Sequence, residues 1–255
     1  MHMCTLTIRF DPGASAPVAV AANRDELYRR PSSPPAVIKE NPAVFAPRDR
    51  EAGGTWLGVN EHSIFASITN VWIRQGRKRY SGDPGGRSRG LLTLDALSCR
   101  TVEEAAHTVE ESVSRDTYQF FNLAVVSPTA GIIFTYTGSL KGYPMHPGVT
   151  TILNSPYDPH VDRTDALPPY PSETGVGPEP RDAWLQQVTT YLSQHPDICR
   201  HGRFYGTRCS HIVTLSSDKS PRFWYADGPP CQSEFHDMSP AMEPLYAAVH
   251  TSSGR

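Results

Sequence analysis

The sequence contains no apolar run of the about 18–20 residues that a membrane-spanning helix needs. It also has no excess of one charge. The 24 Lys and Arg residues stand against 26 Asp and Glu residues, which gives a net charge of −2. That balance gives no electrostatic basis for nucleic acid or an anionic membrane surface as the main partner. We therefore expect a protein that binds neither nucleic acid nor membranes.

The cysteines are few and do not form a familiar pattern. Five are present and no Cys-x-x-Cys occurs, so the spacing predicts neither a disulfide framework nor a zinc site. Free thiols favour a cytoplasmic protein. The N-terminus has no hydrophobic signal core, since Arg9 and Asp11 interrupt the first apolar stretch. The five are Cys4, Cys99, Cys199, Cys209 and Cys231.

Two further motifs are missing. The basic, glycine-rich segment 74–87 lacks Gly-Lys-Ser/Thr and is therefore no P-loop. A metallohydrolase is disfavoured because no His-Glu-x-x-His or other clustered ligand set is visible. We expect neither a metal nor a cofactor.

The N-terminal stretch alternates between apolar and polar residues. Cys4, Leu6, Ile8 and Phe10 fall on one side of an extended chain, which is the period-two pattern of a half-buried strand. In a chain that begins at Cys4, one residue would carry both a thiol and an α-amine, and an amine with a pKa of about 7.7–8.0 can accept the thiol proton. The alternative reading is a small buried hydrophobic residue.

The rest of the chain predicts strands, a block of helices, and then strands around a further helix. Antiparallel hairpins with helices in separate blocks indicate the α+β class, with two sheets sandwiched between helical layers. Residues 31–50 are proline-rich and are expected to be irregular. The predicted strands are 3–10, 18–22, 53–59, 63–69, 122–126, 132–136, 149–153, 210–216 and 222–225, and the predicted helices are 88–97, 101–114, 181–194 and 242–249.

Polar residues follow several of these strands in a specific order. Together they resemble the NRDE family, also called the transport and Golgi organisation 2-like family, over most of the chain. That family is similar to N-terminal-nucleophile hydrolases of the choloylglycine hydrolase and penicillin acylase type, which have a four-layer αββα fold. The segments are Met3-Cys4, Asn23-Arg24-Asp25-Glu26, Gly53-Gly54-Thr55-Trp56-Leu57-Gly58, Thr69-Asn70, Asn154-Ser155-Pro156 and Gly206-Thr207-Arg208.

The resemblance implies a role for each matching position. Cys4 is the expected nucleophile, and Asp25 the acid that holds its amine and thiol. Asn70 and Asn154 are the expected amides beside the reacting carbonyl, and Arg208 supports the nucleophile. Asn23 and Arg24 are expected to support the site, and Trp56, Trp72 and Arg74 to contact substrate.

The implied activity is hydrolysis of a carboxylic amide or thioester, or acyl transfer from it, through an acyl-enzyme on Cys4. The substrate would be a small acyl or amide molecule. The alternative is a non-catalytic protein on the same fold that binds haem or acyl lipids. A single domain is expected over residues 4–250, with a removable extension at 1–3 and a tail at 251–255. The sequence does not predict the oligomeric state.

Overall fold

The computed structural model describes residues 4–160, 167–171, 178–194, 196–217, 220–244 and 246. The proposed extension at 1–3 and tail at 251–255 lie outside these residues, as does the end of the predicted helix 242–249. None of the helices in the described part of the chain has the length and apolar character to cross a membrane.

The strands form two large antiparallel sheets and one small hairpin. The first large sheet has the strand order β12-β1-β2-β13-β14-β15, and the second has the order β11-β10-β9-β6-β5-β4-β3. The strands are β1 Thr5–Phe10, β2 Val18–Leu27, β3 Ser32–Glu40, β4 Ala43–Asp49, β5 Leu57–Asn60, β6 Phe65–Asn70, β7 Ile73–Gln75, β8 Lys78–Tyr80, β9 Phe121–Val126, β10 Gly131–Tyr136, β11 Leu140–Pro144, β12 Gly148–Ile152, β13 Tyr205–Leu215, β14 Arg222–Ala226 and β15 His236–Asp237.

Three apolar clusters separate four layers. Leu6, Ile8 and Phe10 of β1 pack against the second sheet, where they meet Phe45 and Phe65. On the outer face of the second sheet lie the helices α1 (Arg89–Ala96) and α2 (Val102–Arg115). The helix α3 (Pro178–Leu192) covers the outer face of the first sheet. The order of layers is therefore helix, sheet, sheet, helix, which confirms the predicted αββα sandwich.

The start of α2 follows from its sequence. The Thr101 hydroxyl accepts a hydrogen bond from the Glu104 N–H at 3.1 Å. The Glu104 carboxylate accepts one from the Arg100 N–H at 2.8 Å. Side chains thus satisfy N–H groups that the first turn leaves without helical partners.

The prediction that residues 31–50 are irregular is wrong, because β3 and β4 form a hairpin there. Two prolines, Pro34 and Pro35, lie within β3. That strand is at the edge of its sheet and its register shifts between Ser33 and Ala36. Proline is tolerated at edges and bulges because no ladder hydrogen bond is lost there. The strand was not predicted because the prolines interrupt the alternation of apolar and polar residues.

Two other boundaries differ from the prediction. The strand β2 continues to Leu27, so Asn23-Arg24-Asp25-Glu26 lies inside the strand and not in a loop beyond it. The basic segment 74–87 begins as part of a small hairpin of β7 and β8. Gly76 has a φ of 61° at its turn, a conformation that glycine adopts readily.

Candidate active site

The pairing of β1, β2 and β13 brings the predicted nucleophile and acid together. Thr5 lies opposite Asn23 across β1 and β2, which places Cys4 beside the Arg24–Asp25 end of β2. The Cys4 thiol donates a weak hydrogen bond to the Asp25 carbonyl oxygen at 3.5 Å. On the other side of β2, Asp25 lies opposite Thr207 of β13.

The Asp25 carboxylate is buried, with a relative exposure of 2%. Its Oδ1 accepts a hydrogen bond from the Thr207 hydroxyl at 2.8 Å. Its Oδ2 lies 3.5 Å from Nε of Arg200 and accepts no hydrogen bond within the described part of the chain. Burial raises the pKa of Asp25 to about 7, against the opposing effects of Thr207 and Arg200. Near neutral pH this carboxyl group is therefore partly protonated.

The loop that carries Arg200 is held tightly against β13. The Thr207 N–H donates to the Arg200 carbonyl oxygen at 2.9 Å, and the Arg200 N–H donates to the Thr207 hydroxyl at 2.9 Å. A Cβ atom on Gly206 would lie 2.5 Å from that carbonyl oxygen and 2.2 Å from the Tyr28 hydroxyl. Only glycine fits here, which gives a physical reason for Gly206 beside Thr207.

The Cys4 thiol is in a site that opposes ionisation. Burial, followed by the Asp25 carboxylate, raises the pKa of Cys4 to about 12, and Arg24 opposes this shift. In a chain that continues to Met3, the thiol is therefore protonated at neutral pH. A thiol in this site needs a base close by before it can act as a nucleophile.

A cavity of about 120 Å³ opens beside Cys4. Its walls include Asp25, Trp56, Asn70 and Arg89. Arg89 comes from the first turn of α1, and this turn approaches the glycine segment closely. A Cβ on Gly54 would lie 2.3 Å from the carbonyl carbon of Gly90, so the site depends on glycine there.

Arg89 is a cation in this wall. Burial lowers its pKa to about 10, which leaves it protonated at neutral pH. Its guanidinium donates to the Phe120 carbonyl oxygen at 3.0 Å and to Oε1 of Gln119 at 3.1 Å. No carboxylate among the described residues forms an ion pair with it. Its positive charge is thus available to the cavity.

Arg24 and Trp56 also line the cavity, and Trp56 contacts His211. The Arg24 guanidinium lies 4.0 Å from the centre of the Trp56 ring and also pairs with Glu26 and Asp49 at 3.8 and 3.6 Å. The Trp56 N–H donates to Nε2 of His211 at 3.1 Å. Burial and Arg24 lower the pKa of His211 to about 3, so this imidazole is neutral and carries its proton on Nδ1.

The two predicted amide residues are adjacent, and of the two only Asn70 lines the cavity beside Cys4. The Asn154 side-chain N–H donates to the Asn70 carbonyl oxygen, and the Asn154 carbonyl oxygen accepts from the Trp72 N–H at 2.8 Å. Asn122 holds this segment in place, because its amide group donates to the carbonyl oxygens of Leu153 and Ser155 at 3.0 and 2.8 Å. Among the described residues, the second N–H of the Asn154 amide has no acceptor.

The structure places the remaining predicted residues elsewhere. Arg208 pairs with Asp227 at 2.8 Å, and it does not line the cavity beside Cys4. Asn23 binds the ends of α3 and the Arg200 loop, through Leu192 and Ile198 carbonyl oxygens at 2.9 and 3.1 Å. Neither Trp72 nor Arg74 lines the cavity, whereas Trp56 does. The arginine beside Asp25 is Arg200, and not Arg208, which was predicted to support the nucleophile.

Sequence reasoning did not single out four residues of the candidate site. Arg200 lies outside every recognised segment, so no local pattern marks it. Arg89 ends the basic loop that starts at Arg74, which favours an anionic substrate without marking one residue. Tyr205 donates to the Asp25 carbonyl oxygen at 2.8 Å. His211 follows Arg208 in the same strand. It lies beside Trp56 only because the two sheets pack face to face.

Comparison with known proteins gives the family. A sequence model of the family described as Transport and Golgi organisation 2 matches residues 3–171, which is more than half of the chain. The chain belongs to this family. The Transport and Golgi organization protein 2 homolog of Homo sapiens is 28% identical over 255 residues, which cover 85% of this chain and 90% of the human protein. The homolog of Mus musculus is 26% identical over 255 residues, with the same coverage of both chains.

Solved structures give the fold of this member of the Transport and Golgi organisation 2 family. Penicillin V acylase from Agrobacterium tumefaciens superposes with a TM-score of 0.56 at 16% identity, over 92% of this chain and 86% of that chain. A variant of conjugated bile acid hydrolase from Clostridium perfringens gives 0.50 at 13% identity, over 95% and 94%. These matches confirm the predicted N-terminal-nucleophile hydrolase-like fold.

Proposed function

We propose that the chain, once it begins at Cys4, is a cysteine N-terminal-nucleophile hydrolase or acyltransferase of small carboxylic amides or thioesters. One observation carries the proposal. The Cys4 thiol lies against a buried acid, Asp25, at the edge of a cavity. The acid's Oδ2 accepts no hydrogen bond within the described part of the chain. An α-ammonium group on Cys4 would supply the donor that this oxygen lacks.

The α-amine would also provide the base that the protonated Cys4 thiol needs. With a pKa near 12, the Cys4 thiol does not ionise unaided at neutral pH. An α-amine titrates at about 7.7–8.0 and takes the thiol proton within the same residue. Release of the amine from its peptide bond therefore both creates the base and adds a positive charge that favours the thiolate.

In the proposed reaction, Sγ of Cys4 attacks the carbonyl carbon while the thiol proton moves to the α-amine. The oxyanion of the tetrahedral intermediate accepts hydrogen bonds from the amides of Asn70 and Asn154. The carbon–nitrogen bond then breaks, and the α-ammonium group returns its proton to the leaving amine. Water, activated by the same α-amine, cleaves the thioester and releases the acid. An amine in place of water gives acyl transfer.

The cavity favours a substrate with an anionic group near the reacting carbonyl. Arg24 already pairs with Glu26 and Asp49, whereas Arg89 contacts only neutral oxygens among the described residues. A substrate carboxylate or phosphate would supply the counterion. The cysteine spacing predicts no disulfide framework, which fits a reducing compartment, and we place the protein in the cytoplasm.

The test is a chain expressed with one Met before Cys4, so that removal of the Met exposes the amine. Acyl 4-nitroanilides, with and without a carboxylate on the acyl group, are the substrates. We expect turnover of the substrate and an acyl adduct on Cys4, detected by intact mass. A Cys4→Ala variant with an unchanged melting temperature should show neither turnover nor adduct. A Cys4→Ala protein that keeps full turnover would exclude the proposal.

A further inference from the structure

A second group of thiol and imidazole side chains lies outside the cavity. Cys199 and His201 come from the loop between α3 and β13, and Cys231 from the turn after β14. The two Sγ atoms are 3.4 Å apart. Nε2 of His201 lies 3.1 Å from Sγ of Cys231 and 3.6 Å from Sγ of Cys199. The three potential ligand atoms thus lie within 4.8 Å of one another.

The spacing of these donors fits a tetrahedral metal ion. With Zn–S bonds of about 2.3 Å and Zn–N bonds of about 2.0–2.1 Å, a tetrahedron separates two sulfurs by about 3.8 Å and sulfur from nitrogen by about 3.5 Å. The observed distances differ from these by a few tenths of an ångström. Two thiolates and an imidazole are also the ligands that zinc prefers.

We propose that Cys199, His201 and Cys231 bind a zinc-type divalent ion, with water as the fourth ligand. Binding releases the two thiol protons to solvent, and the resulting centre of one dication, two thiolates and a neutral imidazole has no net charge. His201 and Cys231 are exposed, which gives the ion an entry path.

The backbone around the three residues is already fixed. The Cys199 N–H donates to the Gln194 carbonyl oxygen at 2.7 Å. On the other side, the N–H groups of Gln232 and Ser233 both donate to the Pro229 carbonyl oxygen, at 2.9 and 3.0 Å. Backbone hydrogen bonds therefore anchor the chain at Cys199 and directly after Cys231.

The proposed centre has a structural consequence for the site around Cys4. Arg200 lies between two of the ligands in sequence, and its guanidinium is 3.5 Å from Asp25. A metal ion would tie the loop of Arg200 to the turn after β14. The proposal nevertheless stands without any catalytic activity, since it rests on the three donors alone.

Metal content of the reduced full-length protein is the test. The protein is stripped with a chelator, titrated with Zn²⁺, and separately loaded with Co²⁺ to detect the thiolate-to-metal charge-transfer absorption. We expect roughly one ion per chain and a higher melting temperature in its presence, because a ligand that binds only the folded state stabilises it.

Two variants locate the ion. His201→Ala and Cys231→Ser change exposed residues, and each should weaken binding by about 100-fold or more. Cys99→Ser, which changes a cysteine on the helical side of the second sheet, should leave binding unchanged. The proposal is overturned if no charge-transfer band forms, or if the two site variants bind the metal as the native chain does.

Discussion

Arg200 and Asp25 form an ion pair in the candidate site, with Nε of Arg200 3.5 Å from Oδ2 of Asp25. Arg208, in the recognised Gly206-Thr207-Arg208 segment, pairs with Asp227 instead. The bulge in the pairing of β13 with β2 between Thr207 and Cys209 accounts for this, because Arg208 has no partner residue on β2.

This arrangement makes Arg200→Met and Arg208→Met a matched pair. The charge of Arg200 lowers the pKa of Asp25, so its removal should raise that pKa above its value of about 7. Removal of Arg208 should leave it unchanged. Titration of the Asp25 side chain by carbon-13 NMR measures both. A shift with Arg208→Met and none with Arg200→Met would contradict the assigned pair.

Burial of Asp25 also predicts how stability depends on pH. Its pKa is raised from 3.8 to about 7 in the folded protein. A raised pKa means that the folded state holds the proton more tightly, so this contribution is complete below pH 4 and is lost as the pH rises through 7. Three pKa units correspond to up to about 4 kcal/mol.

The variant that tests this is Asp25→Asn. The free energy of unfolding of the native chain should fall relative to that of the variant as the pH rises from 4 to 8. Urea unfolding at several pH values measures it. A difference that is constant with pH would show that Asp25 titrates normally. Asp227→Asn, an exposed carboxyl, is the control.

The sequence predicted the strands that alternate and the helices that carry an apolar stripe. For β1, Leu6, Ile8 and Phe10 were enough, because one face of that strand is buried between the sheets. It did not predict β3, because prolines at a sheet edge conceal the alternation. The predicted end of β2 was also wrong. Polar residues such as Asn23 and Asp25 lie buried within that strand, where both form hydrogen bonds.

The site was predictable only where residues fall within recognised segments. Cys4, Asp25, Asn70 and Asn154 do so, and the structure brings Cys4 to Asp25 and Asn70 to Asn154. Arg200 does not, because the contact with Asp25 is created by a loop between α3 and β13. Residues distant in sequence meet there through the folding of the sheet, and local spacing contains no sign of it.

The amide of Asn154 is predicted to stabilise the oxyanion. Asn154→Ala should slow acylation of Cys4 by about 100- to 1,000-fold, the cost of one such donor. Turnover and melting temperature are measured together. A lower melting temperature with an unchanged rate per folded molecule would show that Asn154 is only a turn residue.

Asn122 provides the comparison. Its amide donates to the carbonyl oxygens of Leu153 and Ser155, and its buried groups lose their partners in Asn122→Ala. We expect a loss of about 1–3 kcal/mol in stability. The rate should fall as well, because the 153–155 segment positions Asn154. Stability that is unaffected would contradict this role.

Arg89 is predicted to attract anions into the cavity. In a chain that begins at Cys4, Arg89→Met should slow alkylation of Cys4 by the anion iodoacetate more than by neutral iodoacetamide, by about tenfold in the ratio of the two rates. The matched change is Arg79→Met, which removes a charge from the β7–β8 hairpin. Equal effects of Arg89→Met on both reagents would contradict the anionic-substrate interpretation.

The central claim is that the α-amine of Cys4 activates its thiol, and the pH dependence of iodoacetamide labelling tests it most directly. The chain that begins at Cys4 should label first at Cys4, ahead of Cys99, Cys199, Cys209 and Cys231, with a rate that levels off near about pH 8. The chain that retains residues 1–3 should label Cys4 at least about 100-fold more slowly at pH 7, since its thiol pKa is about 12. Equal labelling of Cys4 in the two chains would contradict the account.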